Sequence, residues 1–174
     1  SEFHKLLIDK VDAICPVPKN RWNVKKYYSP TQSAKTTSIT NEGGFLQTNL
    51  FEFDPYFFGL NPRQVEEMDL QQRILLELTW EAIEDGGLIL KDMQDVNTGV
   101  FIGAFNQDNF ALRGSTQNYY HATSETSLSS TSNMLANRIS YHFNLNGISQ
   151  SIDTACSSSL SAFHIACQSL SLDT

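Results

Sequence analysis

Three observations predict an α/β fold. Thr98–Ala104, a short apolar run between glycines, reads as a buried strand, and Ile148–Thr154, which follows a turn, reads as a second strand. Helical apolar patterns lie before, between and after them, the order that wraps helices around a sheet. The 174 residues, 40% hydrophobic and 18% charged, suffice for one domain with its own core.

In chain order, Phe3, Leu6 and Leu7 recur at helical spacing, so the chain opens in a helix. A turn-rich stretch follows, with Pro16, Pro18 and the aromatic residues Trp22, Tyr27 and Tyr28. Residues 29–41 are Thr/Ser-rich and loop-like, and Gly43-Gly44 leads into an apolar patch from Phe45 to Phe58 broken by Asp54-Pro55. The clearest helix starts at Asn61, a good N-cap with Pro62 at the first helical position and Gln64 spaced for a variant capping box. Ile74, Leu75, Leu78 and Ala82 mark its apolar face, and Gly86-Gly87 ends it. After the strand at 98–104, residues 107–127 form a polar, Ser/Thr-rich excursion. Leu128, Leu135 and Ile139 predict a further helix, Asn144–Gly147 a turn, and Ile148–Thr154 the second strand. A helix is expected over Cys156–Leu170, with Leu160, Phe163, Ile165, Ala166 and Leu170 as its apolar positions. There is no internal repeat and no linker composition, so 1–174 reads as one partial domain. With few strands, and none to receive the last helix, the sheet is expected to be incomplete.

The bulk properties narrow the function. A net charge of −7 argues against a nucleic-acid phosphate surface as partner. No apolar run approaches the roughly 20 residues that span a bilayer. The first residues lack the basic and apolar regions of a signal peptide. Three cysteines, an odd number, fit reduced thiols and a cytoplasmic setting. On one helix, Cys156 and Cys167 would stand roughly 16 Å apart, beyond disulfide reach.

The chemistry concentrates in Ser151-Ile-Asp-Thr-Ala-Cys-Ser-Ser-Ser-Leu160. A strand runs into a cysteine, small hydroxyl residues follow, and a helix begins. A thiol at a helix N-terminus gains thiolate character from the dipole and becomes a useful nucleophile. Taken alone, a cysteine before a helix is more often a small structural residue. A cysteine-hydrolase elbow needs glycines two before and two after the nucleophile, where this chain has Thr154 and Ser158. A papain-like setting also fails, because the Ala-Cys-Ser context differs.

The surroundings decide between these readings. Gly147, Ile152, Ala155, Cys156, Ser157, Ser158, Ser159 and Phe163 stand as in the active-site signature of β-ketoacyl synthases, and Asp153 to Leu160 resembles the form found in type I polyketide and fatty acid synthases. The resemblance extends over almost the whole chain. It is carried by Asn20-Arg-Trp22 with Tyr27-Tyr28, Gly43-Gly-Phe45, Phe53 to Arg63, Met68 to Arg73, Trp80 to Asp85, Thr98 to Gly103 and Asn137 to Tyr141. Leu70 departs from the proline usual in the family. The family's first strand would lie before Ser1, and its two catalytic histidines, in His-Gly-Thr-Gly-Thr and Asn-x-Gly-His contexts, beyond Thr174. None of the four histidines here has either context. The chain is therefore similar to the N-terminal part of a ketosynthase, truncated at both ends.

The resemblance implies a thiolase-like, layered α/β/α fold, here its N-terminal half. It implies that Cys156 accepts an acyl group and that its backbone N–H serves as an oxyanion donor. The acyl group would arrive on the phosphopantetheine of an acyl carrier protein, for decarboxylative Claisen condensation with carrier-bound malonyl. No cofactor is expected to bind directly, no metal is expected, and the acyl-binding residues are not identified. In the parent enzyme a homodimer is implied, paired across Ile148–Thr154, with residues 104–127 as a dimer contact or acyl-pocket wall. Without the histidines, residues 1–174 alone are expected not to condense. Exposed sheet edges are expected to make the chain poorly soluble. The competing expectation is a non-catalytic fragment acting at most as a binding or dimerising remnant. Asp153 is expected to orient backbone, His164 to pack or cap, and Cys15 and Cys167 to be inert. The Trp22–Tyr28 cluster is expected to pack, and Glu66, Glu67 and Asp69 to form a solvated helix face.

Overall fold

The structure is a computed structural model that describes residues 2–31, 35–49, 51–113 and 124–172. By internal contacts the chain divides into two compact units, Ser1–Asn49 and Leu50–Thr174.

The first unit opens with α1 (Glu2–Ile8), where the predicted helix falls, although Phe3, Leu6 and Leu7 are all exposed. A short strand β1 (Cys15–Pro16) then pairs antiparallel with β2 (Glu42–Gly43), a ladder hidden by the turn-like composition. Between them lies α2 (Val24–Tyr27), a single turn. Trp22 meets Phe45 edge-on at 5.5 Å, but Trp22, Tyr27 and Tyr28 all remain exposed, so the expected packing of this cluster is only partial.

The second unit holds the core. Asn61 caps α3 (Pro62–Glu67) by accepting the Arg63 N–H. The predicted long helix breaks here, because Met68 is extended and α4 (Leu70–Asp85) starts afresh. Asp69 makes the new start possible: its carboxylate accepts the Gln71 N–H, and its own N–H donates to the Ser129 carbonyl. Asp69 is consequently buried, a correction to the expected solvated face, while its N-cap position keeps the benefit from the helix dipole. Gly86 and Gly87 end α4 as predicted, with Gly87 at φ +60° and the Leu88 N–H returning to the Ile83 carbonyl.

A short α5 (Leu90–Gln94) leads to β3 (Val100–Gly103), the centre of the predicted 98–104 strand. Next comes α6 (Asp108–Arg113). The predicted helix around Leu128 and Ile139 is two helices, α7 (Ser124–Ser130) and α8 (Met134–Phe143), interrupted at residues 131–133. Left-handed Asn144 stops α8 and opens the predicted turn. Strand β4 (Ser149–Ile152) then pairs parallel with β3, Val100 opposite Ser149 and Gly103 opposite Ile152. Last is α9 (Ser158–Ser171).

Alternation along β3 sets the layers. Val100 and Ile102 join the apolar core built from α4 and α8, where Met68, Leu76 and Ile139 are almost wholly buried. Phe101 and Gly103 lie along α9. Hydroxyl bonds tie the polar, half-buried strand β4 to α8: Ser151 Oγ accepts the Ala136 N–H, and Ser140 Oγ bonds Ser149 Oγ. The sheet is thus held between helices on two sides, and the carboxyl ends of both strands point the same way.

Candidate active site

Parallel strands commonly present ligands and chemistry at their carboxyl ends. At that end of β4 the chain makes one tight turn before α9. The Asp153 carboxylate accepts the Ala155 N–H at 2.9 Å, orienting backbone as expected. Ala155 then takes φ +55°, a left-handed conformation that costs a Cβ-bearing residue about 1–2 kcal/mol. Ala155 is also the first of the three residues of a 3-10 turn, Ala155–Ser157.

This corrects the expected helix over Cys156–Leu170. Cys156 lies in the 3-10 turn, and Ser157 is the N-cap of α9. The left-handed step at Ala155 and the 3-10 turn keep the chain out of the helix until Ser158. The thiol of Cys156 is free and exposed.

Hydroxyl groups hold the turn. Ser158 Oγ accepts the Thr154 N–H at 2.9 Å and donates to the Ala155 carbonyl at 2.7 Å. Ser157 Oγ lies 2.9 Å from both the carbonyl and the hydroxyl of Thr154, and Thr154 Oγ1 lies 2.9 Å from Ser161 Oγ. The Cys156 N–H is not among the donors in this web. Behind the turn, β3 supplies Gly103: a Cβ there would stand 2.5 Å from the Ser158 carbonyl carbon and the Ser159 nitrogen. Only glycine lets the start of α9 sit this close to the strand.

His164, expected to pack or cap, is instead exposed on α9, as is Cys167. Cys15, in the first unit, accepts from Gln47 Nε2 at 3.0 Å. Glu67 accepts the Thr126 hydroxyl at 3.3 Å. Part of the 104–127 excursion, residues 114–123, lies outside the described residues. An open apolar groove of about 510 Å³ runs along β3 and α9, lined by Phe101, Gly103, Ser159, Ala162 and Phe163 among others; Cys156 is not part of its lining. Among the described residues, no group of three or more His, Cys, Asp or Glu side chains is placed to hold a metal ion. No helix among them is long and apolar enough to cross a membrane.

Sequence reasoning missed the internal supports. Buried Arg138 donates from Nε to Gln72 Oε1 at 2.7 Å, and Gln72 Nε2 donates to the Leu128 carbonyl, tying α4 to α7 and α8. Both residues fall inside quoted motifs, but no spacing within either segment announces a partner so distant in the chain. Ser158 and Gly103 were likewise visible only as small residues.

A sequence profile of the β-ketoacyl synthase N-terminal domain matches residues 1–174. The chain belongs to the β-ketoacyl synthase family. Among similar ketosynthase-containing proteins, it is 38% identical to the highly reducing polyketide synthase resH of Aspergillus sclerotiorum, over 98% of this chain and 7% of that protein. It is 37% identical to the polyketide synthase PksN of Bacillus subtilis, over 97% of this chain and 3% of that protein. The oxazolomycin ketosynthase domain of Streptomyces albus superposes with a TM-score of 0.81 at 35% identity, covering 97% of this chain and 29% of that one. The ketosynthase from module 6 of the bacillaene synthase of Bacillus subtilis gives 0.79 at 32% identity, covering 99% and 26%. The expected fold is therefore the observed one, the N-terminal portion of the thiolase-like ketosynthase fold. The chain spans well under a tenth of the length of these two synthases.

Proposed function

We propose that Cys156 is the acyl-accepting nucleophile of a ketosynthase. The observation that carries the reading is an exposed, free thiol on a tightly bonded turn at the carboxyl end of two parallel strands. Cysteine is intrinsically nucleophilic and forms covalent acyl intermediates readily. Its thiolate would attack the thioester carbonyl of an acyl group carried on the phosphopantetheine of an acyl carrier protein. A tetrahedral oxyanion would form, with the Cys156 N–H as donor to it. Collapse would expel the phosphopantetheine thiolate, which takes up a proton, and leave the acyl group on Sγ. In the condensing enzyme, carrier-bound malonyl would then lose carbon dioxide, and its carbanion would displace Cys156 from the acyl carbon.

The same reading takes a polyketide or fatty acid synthase as the parent, a homodimer paired across the β4 segment, and a cytoplasmic setting for three free thiols. The parent's substrate is delivered on its carrier, so no cofactor is assigned to these residues.

Incubating the chain with an acyl phosphopantetheine thioester and mapping the adducts by mass spectrometry tests the assignment. Cys156 should acylate at least about tenfold faster than Cys15 or Cys167, in line with the selectivity of activated thiols. The adduct should be released by hydroxylamine, and Cys156→Ala should abolish it. Equal labelling of Cys15 or Cys167 would end the case for Cys156.

A further inference from the structure

We propose that Ser158 is a positioning residue for Cys156, its hydroxyl locking Ala155 in the left-handed conformation that aims the thiol; this rests on the reading of Cys156 as nucleophile. A residue with a Cβ holds positive φ only when its surroundings over-determine it, and at Ala155 the surroundings can be named. One hydroxyl bridges the two peptide groups that flank the φ/ψ pair of Ala155 and its predecessor. It accepts from the Thr154 N–H and donates to the Ala155 carbonyl, using its single proton and one lone pair. The Ala155 carbonyl also accepts the Ser158 N–H, so Ser158 grips it twice. Ser158 is itself immobilised: it is 5% exposed, and its main chain rests against Gly103. The clamp therefore transmits the position of β3 to the residue immediately before the nucleophile. Ser157 serves another end, since its hydroxyl reaches only Thr154. Without the Ser158 hydroxyl, Ala155 is left with the bonds from Asp153 and from the Ser158 N–H, its hold on positive φ weakens, and the thiol moves with it.

The test reads one thiol against another in the same 174-residue chain. Rates of alkylation by iodoacetamide are measured at Cys156 and at Cys167 by peptide mass spectrometry, and their ratio is compared across variants. Ser158→Ala should lower the ratio about tenfold, the scale on which misplacing a reacting atom registers, with the Cys167 rate unchanged. Ser158→Thr, which keeps a hydroxyl, should restore at least half of the loss. Should Ser158→Ala unfold the chain, the double variant Ala155→Gly with Ser158→Ala is read instead. Glycine tolerates both signs of φ, so the strain disappears while the clamp is still missing. That variant should show the same fall, and Ala155→Gly alone should not. A high wild-type ratio left within twofold by the clamp variants would overturn the inference and spare the nucleophile. A wild-type ratio near one would instead overturn the nucleophile reading on which it rests.

Discussion

Each hydroxyl of the motif Asp153-Thr-Ala-Cys-Ser-Ser-Ser159 is legible as a small polar residue, and Cys156 as the candidate nucleophile. The backbone strain is not. Nothing in the letters distinguishes Ala155 at φ +55° from any other alanine, because the conformation is imposed by bonds from Asp153 and Ser158. The same limit applies to charge. Burial first, and the Arg138 cation second, hold the His142 imidazole below its ordinary value. The unfolded chain therefore binds a proton near pH 6.5 before the folded chain does. Stability linked to His142 is complete above that pH and is lost as pH falls through it toward the lower folded value. Thermal melts at pH 7.5 and 5.5 should show a larger drop for the wild type than for His142→Gln. Equal drops would mean that the ring is no more costly to protonate in the fold than outside it.

At the scale of elements, the sequence located both central strands and the helix ends at Asn61 and Gly86-Gly87, where side-chain chemistry is local. It joined α3 to α4 and α7 to α8, because apolar periodicity runs on through the breaks. The first break comes from a capping carboxylate, Asp69, whose N–H answers the remote Ser129 carbonyl. It missed the start of α9 for a similar reason. The spacing between β3 and α9 is set at Gly103, and this gives a second prediction. Gly103→Ala puts a methyl 2.5 Å from the backbone of Ser158 and Ser159, where no flexible side chain can yield. A loss of about 1–3 kcal/mol, typical of overpacking, should appear in chemical unfolding. Acylation of Cys156 should fall with it. Gly44→Ala, with nothing within 4 Å of its Cβ, is the matching control and should change neither.

For the whole molecule, the apolar positions predicted on the last helix are present but only partly covered. Ile165 and Ala166 are half-buried, whereas Leu160, Phe163 and Leu170 are 76%, 69% and 81% exposed along α9; the well-buried Ala162 is not one of the predicted positions. Apolar surface in such a stripe drives association. Sedimentation should show the chain associating as concentration rises, and Phe163→Glu with Leu170→Lys should shift it toward monomer. A wild-type monomer across the same range would show that the stripe is tolerated. The parallel pairing of β3 with β4 has a further consequence, for the order of folding. Parallel neighbours cannot form a local hairpin, so Val100 must find Ser149 across the whole intervening chain. The seat for α9 at Gly103 should therefore form only with that long-range closure. A synthetic peptide carrying the cysteine motif with α9 would have every letter of the site and no strand to press it into shape. The native shape of the turn that carries Cys156 should therefore form only together with the sheet beneath it.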